Sequence, residues 1–285
     1  MHHSETKHPG ATRASIHMIS AVCFVVTTLL AVLPVVSSPL GTPGAVTEIS
    51  LERTACYGTC PIDTLILRLD GTAVYTGKQY TQRIGQFTGT LRKSDFDKLV
   101  QRLISAGFFE LKNEYGRRGP DSSYTVIRAT RDGEQKSVVN HENGDSVPLS
   151  GIQKVIQDAG SDIHWQPVRS GIRGVATGKL PGEAGSPLSR VTILIYPSND
   201  MQAFSIQTDD KGRFQIALMP GSFRIEPLAL SRSPQYSTAT RVSPQRTVVV
   251  RPDEFSDASF QFDRATGRTT MANGTTASGG IPVQK

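Results

Sequence analysis

Apolar residues are not spread evenly along the chain. A polar stretch of 17 residues comes first, then a nearly unbroken apolar run over residues 18–36 that includes Val22, Phe24, Val25, Val26, Leu29, Leu30, Val32 and Leu33. A polar flank carrying Lys7 and Arg13 followed by such a run reads as an export signal. The run approaches the roughly 18–20 residues that span a bilayer. Its small-residue cleavage site is poorly formed, because Ser38 is followed by Pro39 and Gly44 is only an alternative. Two fates stay open: a cleaved signal, or an inner-membrane anchor formed by residues 18–36. Both leave the rest of the chain outside the cytoplasm, since the positive flank stays inside. A lipid anchor does not fit, because Cys23 lies near the start of the run, and Pro34 argues against a buried core helix.

From residue 46 the pattern changes to alternation, which predicts half-buried strands. Ile49 and Leu51 alternate with polar neighbours over 48–53, and Leu65, Leu67 and Leu69 do so over 63–69. Asp70-Gly71 supplies a hairpin turn into a return strand over 72–76, and a further strand covers 83–91 with Ile84, Phe87 and Leu91. Phe96, Leu99, Val100, Leu103 and Ile104 then recur at three- and four-residue steps, an amphipathic helix capped by Ser94 with Asp97 and stopped by Gly107. Phe108, Phe109 and Leu111 are expected to pack under the sheet. The pattern recurs downstream: a strand over 123–131, the turn Asp132-Gly133, a strand over 134–140, and a helix opened by Pro148 that carries Leu149, Ile152, Val155, Ile156 and Ala159. Hairpin then helix, twice, predicts an α+β module over 46–166, an antiparallel sheet with two helices on one face. Trp165, the lone tryptophan, closes it as a core residue, with a ligand platform as the alternative.

Beyond residue 170 the helical period disappears. Short strands are predicted at 171–176, 191–196, 204–208, 213–218, 222–227, 247–251 and 259–262, separated by turns such as Asp209-Asp210-Lys211-Gly212 and Pro220-Gly221. This spacing predicts an all-β sandwich over 171–263. Residues 264–285 are rich in Thr, Gly, Ala and Ser without apolar periodicity and read as a disordered tail. Residues 1–45 form the signal or anchor and its linker.

Composition changes the picture only slightly. The chain has 285 residues and a formal charge of +6, with Lys and Arg scattered along its length. A diffuse basic surface follows, facing anionic polymer or lipid, and no clustered basic stripe calls for nucleic acid. The cysteines are more informative. Cys56 and Cys60 are the only two outside the apolar run, and an even pair in an oxidising compartment usually pairs. Three intervening residues with Gly58 among them permit the tight turn a disulfide needs. A redox-active pair, a metal site and two free buried thiols are the competing readings. The spacing is one longer than Cys-x-x-Cys, and neither His141 nor His164 is selected as a further metal ligand. Arg117, Arg118 and Asp121, beside Tyr124, lie in a loop suited to an anion or simply to solvent; with Arg53 and Tyr57 of the cysteine segment they are the candidate binding residues. No cofactor or metal site is expected. Asp209-Asp210 lacks the other oxygen ligands of a calcium loop, and the string from Gly174 to Lys179 has the wrong spacing for a phosphate loop.

Two resemblances rest on these residues. Glu52-Arg53-Thr54 leading into Cys56-Tyr57-Gly58-Thr59-Cys60-Pro61, with Asp70-Gly71-Thr72 downstream, resembles a bacterial domain-of-unknown-function family marked by an E-R-T-x-C-[FY]-G-x-C-P segment. It covers about 115 residues and brings no activity with it. Thr208-Asp209-Asp210-Lys211-Gly212-Arg213-Phe214, then Leu218-Met219-Pro220-Gly221-Ser222-Phe223, resembles the carboxypeptidase-regulatory-like, transthyretin-like sandwich family, with Phe223 where a Tyr is usual. That likeness implies a non-catalytic spacer, adhesion or carbohydrate-binding module. The expectation is therefore an exported, non-enzymatic envelope protein, periplasmic, cell-surface or secreted. It would serve as a binding or scaffold module for an envelope protein or polysaccharide, and touch the membrane through its N-terminal segment if that stays uncleaved. A thiol-disulfide or hydrolytic enzyme using the Cys56–Cys60 loop, and an inhibitor or sensor of envelope enzymes, are the alternatives.

Overall fold

The computed structural model describes residues 44–141, 144, 147–179, 185–228, 246–263 and 269–271. The chain divides into Met1–Leu40 and Gly41–Lys285. The first unit, with the signal or anchor expected at 18–36, lies outside the described residues. The second is mostly β, with two α-helices among the described residues.

Strands β1 (Val46–Arg53), β2 (Ile62–Arg68), β3 (Thr72–Gln79) and β4 (Gly85–Thr90) precede helix α1 (Lys93–Ser105). Then follow β5 (Glu114–Tyr115), β6 (Tyr124–Arg131), β7 (Glu134–His141), helix α2 (Val147–Ser161) and β8 (Gln166–Pro167). The strands form one eight-stranded sheet in the order β5-β7-β6-β1-β2-β3-β4-β8. Neighbours are antiparallel except β5 and β7. Directly opposed residues share a face. Ile49 opposes Leu67 and Ala129, and Leu51 opposes Leu65 and Ile127. That apolar face shares one core with Phe96, Leu99 and Leu103 of α1 and with Leu149, Ile152 and Ile156 of α2.

Several expectations shift in detail. Ser94 is not the cap of α1: Arg92 holds that position without a side-chain cap bond, and its guanidinium pairs with Asp95 at 2.7 Å. Ile104 is not on the buried stripe of α1; it is exposed, leaving Phe96, Leu99 and Leu103 as the buried set. Arg83 and Ile84 precede β4 rather than belonging to it, and Ile84 packs against the second core.

That second core lies between two sheets. The first centres on β9 (Gly171–Lys179) and is joined by β10 (Ser186–Pro187) and by later strands of the chain. The second begins with β11 (Thr192–Pro197) and β12 (Phe204–Gln207). Strand β13 (Arg213–Ala217) pairs with β9, while β14 (Gly221–Leu228) and β15 (Arg246–Val250) complete the order β12-β11-β14-β15. Strands β16 (Phe255–Asp257) and β17 (Phe260–Asp263) run parallel to β9. Strand β18 (Thr269–Met271), inside the segment expected to lack structure, pairs with β17, and the rest of 264–285 lies outside the described residues. Ile172, Ile193, Ile195, Phe204, Phe214, Ile225 and Phe260 fill the core. Gly174 is required by closeness: a Cβ there would sit 2.4 Å from the Ala258 carbonyl oxygen and 2.7 Å from the Phe214 ring.

The two cores adjoin along β3 and β4. Lys78 pairs with Asp200, Gln79 Nε2 donates to the Ala203 carbonyl at 2.9 Å, and Met219 N–H donates to Gln86 Oε1 at 2.7 Å.

Candidate functional site

The row of residues that builds the first core continues along the sheet past the end of α2, and there its chemistry changes. Arg53 opposes Asp63, and Asp63 opposes Gly77, on the same face as Leu51 and Leu65 one step inward. A carboxylate thus stands where the alternation would place another apolar side chain. Asp63 is 7% exposed. Its two oxygens accept from Arg53, with Nε at 2.7 Å, and from the Tyr75 hydroxyl at 2.9 Å. Burial of a charge this deep requires such pairing.

Above this pair lies an open cleft of about 380 Å³. Tyr75 and Trp165 meet in its wall, ring centroids 5.7 Å apart, and the Trp165 indole N–H donates to the Gly160 carbonyl at 2.9 Å. Gly160 lets α2 approach β2, since a Cβ there would meet Leu65 at 2.6 Å. The opposite rim is the segment from Tyr80 to Arg83, which folds over Gly77: a Cβ on Gly77 would sit 1.9 Å from the Arg83 carbonyl oxygen. Tyr80 itself has φ of 54°, a left-handed conformation uncommon outside glycine.

Electrostatics follow from the same contacts. The hydrogen bond to Asp63 raises the Arg53 pKa above its usual value. Burial, reinforced by the Asp63 charge, pushes the Tyr75 phenol up to about 12. A phenol that ionises later folded than unfolded contributes stability that is intact below pH 10.0, its ordinary value, and is lost as pH rises toward about 12. Tyr75→Phe should therefore flatten part of the alkaline fall in melting temperature; an unchanged alkaline profile would contradict this placement.

The cysteine segment joins β1 to β2 beside the cleft. Cys56 and Cys60 form a disulfide with Cα atoms 5.7 Å apart, and Gly58 N–H donates to Cys56 Sγ at 3.3 Å. The pair sits between two strands rather than at a helix N-terminus, where thiols are usually activated. Buried Thr54 ties this segment to β6: its hydroxyl accepts from Tyr124 N–H at 3.0 Å, while its own N–H donates to the Tyr124 carbonyl at 3.1 Å. Tyr57 N–H donates to the Asp121 carbonyl at 3.2 Å. A second concavity, also about 380 Å³, runs between this loop and Tyr196, Met201 and Ala203. Tyr80 lines both hollows.

The five candidate binding residues are not gathered into one site. Arg53 lines the cleft, Tyr57 lines the second hollow with its ring 88% exposed, and Tyr57 meets Asp121 only through backbone. Arg117 and Arg118 are exposed and line neither hollow. Sequence reading missed Asp63 and Tyr75, and placed Trp165 in the core, against which it does pack while also lining the cleft. The available signal was the polar residue in apolar register at Asp63. His141 is buried and bonded to Glu114 at 2.7 Å, and Asp209 holds the 209–213 turn through Lys211 N–H and Arg213 N–H. No metal-holding cluster occurs among the described residues.

No curated protein matches the chain significantly. Among solved structures it is similar to the Bacillus anthracis TIE protein, at 10% identity and a TM-score of 0.25, covering 77% of this chain and 34% of that one. It is also similar to BcpA, the major pilin subunit of Bacillus cereus, at 9% identity and a TM-score of 0.22, covering 76% of this chain and 59% of that one. The chain thus spans less than two thirds of either, and likeness at this level carries no argument about function. The specific finding is local: residues 47–160, which carry the cleft's sheet and α2, match a domain of unknown function, DUF6438.

Proposed function

We propose that this is an exported, non-catalytic envelope protein, periplasmic, cell-surface or secreted, that binds an envelope protein or polysaccharide. An α+β module over 46–166 presents the cleft, and a carboxypeptidase-regulatory-like sandwich over 171–263 supports it. Residues 18–36 act as signal or anchor; no helix among the described residues is long and apolar enough to cross a membrane. The observation that carries the reading is the Cys56–Cys60 disulfide, a bond kept in oxidising compartments, closing the loop between two open hollows. The groups of the cleft support binding rather than turnover, because Asp63 is committed to Arg53 and Tyr75.

The disulfide closes a short loop, so its entropic contribution is about 2 kcal/mol. The double variant Cys56→Ser with Cys60→Ser should lose about that much stability in denaturant melts and remain folded. Catalysis of insulin reduction by the native protein, abolished in this variant, would overturn the structural role in favour of a thiol-disulfide enzyme.

A further inference from the structure

We propose that the cleft over Arg53 and Asp63 is a saccharide site, taking one or two pyranose rings against Tyr75 and Trp165. The proposal rests on the binding-module reading above and names the ligand class for its cleft. Several polar groups of the cleft are already spent within the protein. Trp165 gives its N–H to Gly160, and Tyr75 gives its O–H to Asp63. What these residues offer a ligand is ring surface, since the phenol is also engaged by the Thr81 side chain. Arg53 is spent on both oxygens of Asp63, so the pair presents no free charge to an isolated anion. The rest of the lining mixes the apolar Leu51, Pro61 and Leu65 with polar groups, among them the amides of Gln82 and Gln157 and the guanidinium of Arg83.

A ligand fitting this lining needs an apolar face for the rings and a rim of hydroxyls for the amides and guanidinium. A pyranose has both: C–H groups on one face that lie against an aromatic ring, and equatorial hydroxyls pointing outward. A purely apolar ligand would strand the amides and the guanidinium, at the cost of unmet hydrogen bonds. A compact anion would find Arg53 already paired with Asp63, would meet only the exposed guanidinium of Arg83, and would leave the ring faces without a partner. The volume of about 380 Å³ falls at the lower end of small-molecule sites, which suits one or two sugar rings.

Trp165 is the only tryptophan in the chain, so its fluorescence reports on this cleft alone. The full chain is titrated with cellohexaose, chitohexaose and a galacturonic acid oligomer, with inorganic phosphate as the anion control. At least one saccharide should change the emission saturably, and phosphate should not. Gln82 and Arg83 are exposed, so Gln82→Ala and Arg83→Ala should leave the fold intact and each weaken binding about three- to tenfold. Silence toward all three sugars at millimolar concentration, a response to phosphate alone, or saccharide binding indifferent to both substitutions would each overturn the proposal. Failure of the wider reading looks different: protein recovered from the cytosol with reduced thiols would remove export and leave a positive titration standing.

Discussion

Phe96→Ala is expected to lower the stability of the folded chain by about 3–5 kcal/mol, the largest loss among the single substitutions considered. Phe96 is fully buried in the core shared by the eight-stranded sheet and both helices. Helix α1 commits only Phe96, Leu99 and Leu103 to full burial, so removing one ring empties a large part of its contact. Denaturant melts followed by circular dichroism measure the loss. Ile104→Ala, on the exposed side of the same helix, should stay within about 0.5 kcal/mol. Equal effects at the two positions would mean that the helix is rotated from the orientation described.

Asp63→Ala follows, at about 2–3 kcal/mol. Removing one partner of a deeply buried ion pair costs about 3–5 kcal/mol, because the other charge stays buried and unpaired. Arg53 is 31% exposed and reaches some water, which places the expected loss below that range. The substitution also releases the Tyr75 hydroxyl. Replacing both charges, with Arg53→Met added to Asp63→Leu, should recover part of the lost stability. A loss under about 0.5 kcal/mol for Asp63→Ala would show that the pair is solvated and that the cleft floor is not organised by it.

Much of the β-structure is legible in the sequence, for physical reasons visible at particular residues. Leu65 and Leu67 alternate because one face of β2 is buried. Asp132 and Gly133, with φ of 54° and 81°, occupy the positive-φ positions that such a pair signals. Five strands escape reading: β5, β8, β10, β16 and β18 are two or three residues long, too short to show a period. The cap of α1 is missed because Ser94 offers the right chemistry two positions after Arg92, which holds the cap, while ion pairs from Arg92 and Lys98 to Asp95 organise that end. The cleft is harder still. Asp63 and Tyr75 sit in strands where polar residues are ordinary, and only the register Arg53–Asp63–Gly77 shows that they share a face with the core. Trp165 joins them through the position of α2, which no local pattern encodes. The cysteines were legible as a pair because so few residues separate them; the loop's place between two hollows was not.

Export and the Cys56–Cys60 bond are tested together on protein recovered from the native cell. Cells are fractionated, free thiols are blocked with iodoacetamide before any reductant, and the mass of the chain is measured. The expected result is a molecule from outside the cytoplasm that carries no label at Cys56 or Cys60 until reductant is added. A cytosolic molecule labelled at both positions at the first step would contradict it.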